Sequence, residues 1–396
     1  MVSAADTMIL THGEVAIARL IRNSHNDWTL EFQDTTPFIT GAPAEWTGTN
    51  WPSVVNVFEG RLWLASSPSQ RARLNASKSG EYFNFTAPTG TPTDADPIDV
   101  TLASKGTIEW LRGQREFLMG TDLEEYVISS SAGVITPTDI DIRPHSAYGS
   151  ASIQGENIGD QVLYVSPDRR KVRAANYSDE QQGWVSMDIT WFAQHITQNQ
   201  VRYMDFARDP GNLLLLLMED GSIVTCTYDR NVNSRGWAKH VMKGSLEAIC
   251  VTNGSSGSLI WTAMIAENGK VHICASLPAL AVNRPFVDSG VYRPVIQHAD
   301  GTYYVDNLDH LQNLEVGIVV DEAVRPPATV TNDATYGGWH VKLTRAGVNA
   351  AVGLTYTARV RTVPYDKGAP DGAMTPYLRR WNKVFVRVWE SAKPVS

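Results

Sequence analysis

Residues 201–242 set out one unit of the chain's patterning. Val201–Ala207 alternates roughly between apolar and polar side chains until Arg208-Asp209-Pro210-Gly211-Asn212 interrupts it. Leu213–Met218 is then an unbroken apolar run, the length of a strand buried on both faces and too short for a helix. Glu219-Asp220-Gly221 turns the chain; Asp-Gly is a favoured hairpin pair because a type I′ turn needs φ > 0 at both central positions. Residues 222–228 are β-branched and alternating, and 236–242 offer a fourth strand. The unit predicts a four-stranded antiparallel meander with its most apolar strand second, the layout of a propeller blade.

The layout recurs. Downstream, 246–252, 258–265 and 270–276 read as strands, broken by a loop at 253–257 and by Asn268-Gly269. Upstream lie 151–157, 161–165 and 171–177, then 107–112, 116–119 and 124–129. Further back are 54–58, 62–65 and 74–77 with 81–85 as an outer strand, and at the N-terminus 6–10, 16–22 and 28–32. The second strands centre on Ile9, Leu62, Leu118, Leu163, Leu215 and Ile260, at intervals of 45 to 56 residues, near the ~40–50 of propeller repeats. The expectation is an all-β chain whose residues 1–285 form a six-bladed β-propeller-like domain, the last unit being a blade or a separate hairpin. The first unit begins mid-pattern, which points to a preceding segment or to a ring closed by another part of the chain.

From about Pro285 the blade periodicity is lost. Short strands separated by Gly, Asn and Asp predict a second domain over 286–396, a small β-barrel or β-sandwich. It ends on an alternating strand with Val384, Val386 and Val388 opposite Phe385, Arg387 and Trp389, an edge that needs a neighbour. Two polar stretches, 33–53 and 86–99, read as inserted loops. Residues 184–197 are the best helix candidate, with Ile189, Phe192, Ala193 and Ile196 spaced for one face.

Composition narrows the function. The 396 residues include 12 Trp and are 43% hydrophobic, ample for a large core. Lys and Arg total 34 against 42 Asp and Glu, a net charge of −8, unlike the basic surface of a nucleic-acid reader. A mildly acidic wall would still let DNA slide past it. No apolar run approaches the ~18 residues of a membrane helix, and no secretory signal opens the chain. Cys226, Cys250 and Cys274 lack CxxC or Cys/His ligand spacing and read as buried free thiols.

Chemistry is sparse. No phosphate-binding loop, nucleophile elbow or HExxH motif is present. His145, His195, His240, His272, His298, His310 and His340 are scattered singly, and Asp122, Asp160, Asp168, Asp209 and Asp220 occupy turn positions where local hydrogen bonds explain them. Asp94, Asp96 and Asp99 lack the glycine bend and distal Glu of a calcium loop. Ser178, Asp179, Gly183 and Trp184 approach the sialidase box at the wrong spacing. No catalytic residue, metal or cofactor is expected. Arg169, Arg170, Lys171 and Arg173 form the only dense basic cluster, either a solvated turn or an electrostatic contact with a partner.

Several stretches resemble the tail nozzle proteins (tail tubular protein B) of short-tailed bacteriophages. They are Phe58-Glu59-Gly60-Arg61-Leu62-Trp63-Leu64-Ala65, Ser79-Gly80-Glu81-Tyr82-Phe83-Asn84-Phe85, Tyr148-Gly149-Ser150 and Arg169-Arg170-Lys171-Val172-Arg173. Asp288-Ser289-Gly290, Leu308-Asp309-His310-Leu311 and Thr355-Tyr356-Thr357-Ala358-Arg359-Val360-Arg361-Thr362 follow in order. The resemblance spans about Trp51 to Thr362. It implies a structural virion protein, a homohexameric ring below the portal and its adaptor, with a channel for DNA ejection and docking of tail fibres or tailspikes. It places the chain in the virion, and in the host cytoplasm during assembly. The alternative reading is a propeller glycoside hydrolase or glycan-binding module acting on host polysaccharide, which acids clustered around the propeller axis would favour. In isolation the chain is expected to associate weakly, and more strongly as salt screens its net charge.

Overall fold

The computed structural model describes residues 1–4, 6–103, 106–209, 211–229, 234–242, 244–254, 257–266, 269–276, 287–357, 359, 368–369 and 372–373. The chain folds into two compact units, one of residues 1–265 and 273–280, the other of 266–272 and 281–396. The expected boundary at 285/286 falls within 277–286, outside the described residues.

Unit 1 is a series of antiparallel meanders, each paired in sequence order. Sheet 1 holds β1 (Val2–Ala4), β2 (Thr7–His12), β3 (Val15–Ser24) and β4 (Asp27–Phe32). Sheet 2 holds β5 (Val54–Phe58), β6 (Arg61–Ser67), β7 (Gln70–Ala76) and β8 (Ile98–Thr101). Sheet 3 holds β9 (Ile108–Gly113), β10 (Phe117–Thr121), β11 (Glu125–Ser129) and β12 (Asp141–Ser146). Sheet 4 holds β13 (Glu156–Ile158), β14 (Gln161–Val165), β15 (Val172–Ser178) and β16 (Gly183–Asp188). Sheet 5 holds β17 (Val201–Ala207), β18 (Leu213–Met218), β19 (Ile223–Asp229) and β20 (Ser234–His240). Sheet 6 has three strands among the described residues, β21 (Gly244–Gly254), β22 (Gly257–Ala266) and β23 (Val271–Ala275). Ile9, Leu62, Leu118, Leu163, Leu215 and Ile260 lie on the second strands β2, β6, β10, β14, β18 and β22, in register with the repeat expected from the sequence.

The sheets pack face to face in sequence, as propeller blades do, and the second strands show why. On β6, Leu62 and Leu64 join the core shared with Ile9 and Ile17 of sheet 1. Trp63 and Ala65, pointing the other way, join Leu111 and Phe117 of sheet 3. On β10, Phe117 and Met119 face sheet 2 while Leu118 meets Val162 and Tyr164 of β14. Leu163 and Val165 of β14 face Leu214, Leu216 and Met218 of β18. The five leucines of β18 follow from this: Leu215 and Leu217, on its other face, are 2% and 1% exposed. Each such side chain removed from water contributes about 1.5–3 kcal/mol. The end sheets differ. Trp28 and Leu30 of β4 are 52% and 50% exposed, and Ile273 of β23 is 78% exposed.

Unit 2 contains two four-stranded sheets. One orders β24 (Asp288–Pro294), β31 (Asn349–Leu354), β27 (Glu315–Val320) and β28 (Ala323–Thr329). The other orders β25 (Ile296–Gln297), β26 (Tyr303–Val305), β30 (Gly338–Leu343) and β29 (Thr331–Asp333). Val305 and Val341 from one sheet and Val316, Ile318 and Val352 from the other share one core. The alternating stretch around Val384–Val388 lies outside the described residues, as do Val360–Thr362.

Three expectations are corrected. Residues 184–197 form no helix: 183–188 is β16, and the chain then runs through turns in which Ile189 and Ala193 are buried but Phe192 is 94% exposed. The spacing that imitated a helical face therefore served only two of its four positions fully. The outer strand of sheet 2 is β8, which begins in the last two residues of the stretch expected to be a loop, and 81–85 instead bridges to Thr40. Of the cysteines, Cys226 is buried, whereas Cys250 is exposed and Cys274 half-exposed.

Candidate functional site

The first strands of successive sheets stand side by side, and their polar side chains tie the sheets together. Asn56 on β5 donates to the Leu111 carbonyl of β9 at 2.6 Å, and Gln154 donates to the same carbonyl at 2.6 Å. Asn157 on β13 donates to the Gly113 carbonyl at 2.7 Å. Arg112 on β9 donates from Nη2 to Glu156 Oε2 at 2.8 Å. Asp205 on β17 accepts from Phe206 N at 2.7 Å and from Val251 N of β21 at 2.8 Å. This brings together two carboxylates and a guanidinium 44 and more residues apart in sequence, a constellation that sequence reasoning missed.

Burial dominates its electrostatics. It pushes the Glu156 carboxyl up to about 7; Arg112 opposes the shift and Asp205 adds to it. Burial also raises Asp205, against the two N–H groups that bond it. A carboxyl poised near neutrality beside a second acid is the raw material of general acid–base chemistry. The competing role is structural: both Asp205 oxygens accept backbone donors, and Glu156 is held by Arg112. Among the described residues, no group of three or more His, Cys, Asp or Glu could hold a metal ion.

The basic cluster is split by its hairpin. Arg173 is buried, stacks over the Tyr148 ring at 3.3 Å and donates to Ser186 Oγ and the Ser186 carbonyl, both at 3.1 Å. Arg169 takes a left-handed conformation (φ 57°) at the turn and pairs with Glu219 of sheet 5. Arg170 is exposed and Lys171 half-buried. Of the four predicted interaction residues only Arg170 is exposed.

Three of the other resemblance motifs place residues at fold-defining positions. Arg61 is 2% exposed and donates to the carbonyls of Ser77 (2.6 Å), Asp96 (2.7 Å) and Asp94 (2.5 Å), so the acid-rich 86–99 stretch wraps a buried guanidinium through its backbone. Gly149 has φ 73°, and a Cβ there would lie 2.4 Å from the Asp122 carbonyl oxygen. Tyr148 N and Ser150 Oγ donate to Glu125, a carboxyl that burial pushes upward. Leu308 and Leu311 are buried at a 3-10 corner from which His310 Nε2 lies 2.9 Å from the Ser289 carbonyl.

An open groove of about 810 Å³ runs between sheets 4 and 5, lined in part by Ile158, Asp160, Phe206, Arg208, Tyr228 and Asp229. Gly159-Asp160 and residues 208–209 and 211–212, which flank it, each lie between a first strand and a second. In a meander such turns share one end of the strands. The 166–171 and 219–222 turns and the 189–200 connection lie at the other end, where Thr197 Oγ1 donates to the Arg170 carbonyl at 2.6 Å and Val201 N to the Arg169 carbonyl at 2.7 Å. There Ile189, Thr190, Ala193 and Thr197 are buried while Trp191 and Phe192 are 64% and 94% exposed.

No family model and no curated protein matches this sequence. Among solved structures it is similar to a protein from Lactobacillus plantarum, at 12% identity over 88% of this chain and 95% of that one, with a TM-score of 0.43. It is also similar to the Pan2 WD40 domain of Neurospora crassa, at 7% identity over 70% and 76% of the two chains and a TM-score of 0.39. YCF48 bound to D1 peptide is similar at 10% identity over 88% and 89%, with a TM-score of 0.42. The strand order and serial packing of this chain itself carry the propeller reading.

Proposed function

We propose that this chain is a structural virion protein, a tail nozzle subunit of a short-tailed bacteriophage. In this reading unit 1 is a six-bladed propeller, unit 2 a β-sandwich, and the assembled form a homohexameric ring with a channel for DNA ejection. Its partners would be the portal adaptor and a tail fibre or tailspike, with DNA passing without sequence readout. It would reside in the virion after assembly in the host cytoplasm.

The observation that carries the proposal is the ordered series of motifs from Phe58 to Thr362. Their placement supports it: Arg61, Gly149, Ser150, Arg173 and Leu308 each serve the fold and not a reaction, as the motifs of an assembly protein would. The test is complementation. Tails made without this subunit should be completed by the purified chain and contain six copies of it; particles that assemble and eject without it would overturn the proposal.

One observation favours a second reading, a glycoside hydrolase. Glu156, held by Arg112, lies within electrostatic reach of Asp205, all three on first strands. If they act on glycan, the purified protein releases reducing sugar from host polysaccharide and Glu156→Gln abolishes that release. Absence of turnover in both forms would leave the pair its clamping role.

A further inference from the structure

Glu156 is a carboxyl set into an apolar seam. It pairs in register with Leu163 and shares its face of sheet 4 with Ile158, both part of the core that Met204, Phe206 and Leu214 of sheet 5 complete. Its side chain is 17% exposed, and the guanidinium that holds it, Arg112, is 26% exposed. Tyr203, Asp205 and Cys250 are the other titratable groups within electrostatic reach. Desolvation and the Asp205 charge raise the Tyr203 hydroxyl and the Cys250 thiol, so both stay protonated. Glu109, also on β9, has Ser152, Asp122 and Arg71 around it instead. The charges that can meet are therefore two carboxylates and one guanidinium, whose Nε is buried without a partner.

The hydrogen bonds decide where a second negative charge is felt. Arg112 and Asn157 tie β13 to sheet 3, through Glu156 and through the Gly113 carbonyl. Asp205 and Arg202 tie β17 to sheet 6, through Val251 N and Glu247. Ionisation tightens both sets, because a charged acceptor makes the stronger bond, and both pull away from the seam. Among the described residues, no side-chain hydrogen bond joins β13 to β17. An ionised Glu156 gains water, and distance from Asp205, only where these two strands part. Behind them the Leu163–Leu214 core and the bond from Tyr228 to Gln161 join the later strands of the two sheets.

We propose that one proton on the Glu156–Asp205 pair latches the inner edges of sheets 4 and 5, and that its loss lets β13 part from β17 while the later strands stay joined. Protonated, Glu156 is a neutral carboxyl that accepts from Arg112 and adds no charge to the seam. The proton leaves at about 7 in the closed form, against 4.5 once the carboxyl reaches water, so the latch weakens progressively between these values. It belongs to the propeller and rests on neither reading of function.

Methionine oxidation by dilute peroxide reads the opening, because Met204 is fully buried in this seam and Met119, equally buried, lies between sheets 2 and 3. The full chain and Glu156→Gln are compared from pH 4.5 to above 7. In wild type, Met204 oxidation should accelerate on the order of 100-fold over that range and run ahead of Met119. In Glu156→Gln the acceleration should be absent. Asp205→Asn, which removes the second charge, should move the wild-type transition to lower pH, and Arg112→Met should move it higher. Met204 oxidation with the same pH dependence in wild type and Glu156→Gln overturns the proposal. So does Met204 that never outpaces Met119, since the seam would then open only with the whole fold. Should Glu156→Gln fail to fold, the Asp205→Asn comparison decides: an unmoved transition overturns the latch.

Discussion

At the scale of single residues, the buried charges decide most of the testable behaviour. Arg61 is enclosed and bonded to three backbone carbonyls. Replacing it with Met keeps the volume but strands those acceptors, and unfolding in urea should show a loss of about 3–5 kcal/mol. Glu156 gives a pH signature. Its carboxyl titrates at about 7 in the fold against an ordinary value of 4.5, so between these values the native state holds a proton that the unfolded state has lost. Its stabilising contribution is whole below about pH 4.5 and gone above 7. Wild type should thus lose stability relative to Glu156→Gln as pH rises from 4.5 to 7, by on the order of a few kcal/mol. Parallel pH profiles would show that Arg112 compensates the burial in full. Neither residue's role was legible in the sequence. Arg61 stood out only as one residue of the Phe58–Ala65 resemblance stretch, and the Arg112–Glu156–Asp205 grouping depends on first strands being neighbours, which no local spacing reports.

At the scale of elements, apolar periodicity read best where burial is greatest. The second strands were recoverable because both of their faces are covered, which demands an unbroken apolar run. The outer strands were read less evenly: Asp27–Phe32 and Ser234–His240 match expected strands, but the outer strand of sheet 2 does not. Ile98–Thr101 hides behind Pro97 in an acidic stretch, and its pairing with β7 is long-range. Residues 189–196 imitate a helical face because the buried turn residues Ile189 and Ala193 fall four apart, while Phe192 between them is exposed. Turn chemistry offers a sharper prediction. Gly149→Ala combines a left-handed φ of 73° with a Cβ 2.4 Å from the Asp122 carbonyl, whereas Gly133, at φ 85°, has open space around it. Differential scanning calorimetry should give a loss of about 1 kcal/mol for Gly133→Ala and about 2–3 kcal/mol or more for Gly149→Ala. Equal losses would mean that the backbone around Asp122 yields easily.

At the scale of the whole molecule, the cores of unit 1 lie between successive sheets and not in one central mass. Sheets 1 and 2, 2 and 3, 3 and 4, and 4 and 5 each share a separate cluster of side chains. Such a chain behaves as a row of neighbours, each leaning on the next. Opening should therefore begin at the poorly covered rims and travel inward, with no obligatory nucleus in the middle of the sequence. Amide hydrogen exchange offers a direct view of that order. The amides of β14 and β18 should be the last to take up deuterium, and those of β4 and β23 among the first. A uniform opening free energy across all six sheets would instead mean that the row unfolds as a single unit. In the graded case one rim can loosen while the stack behind it stays intact.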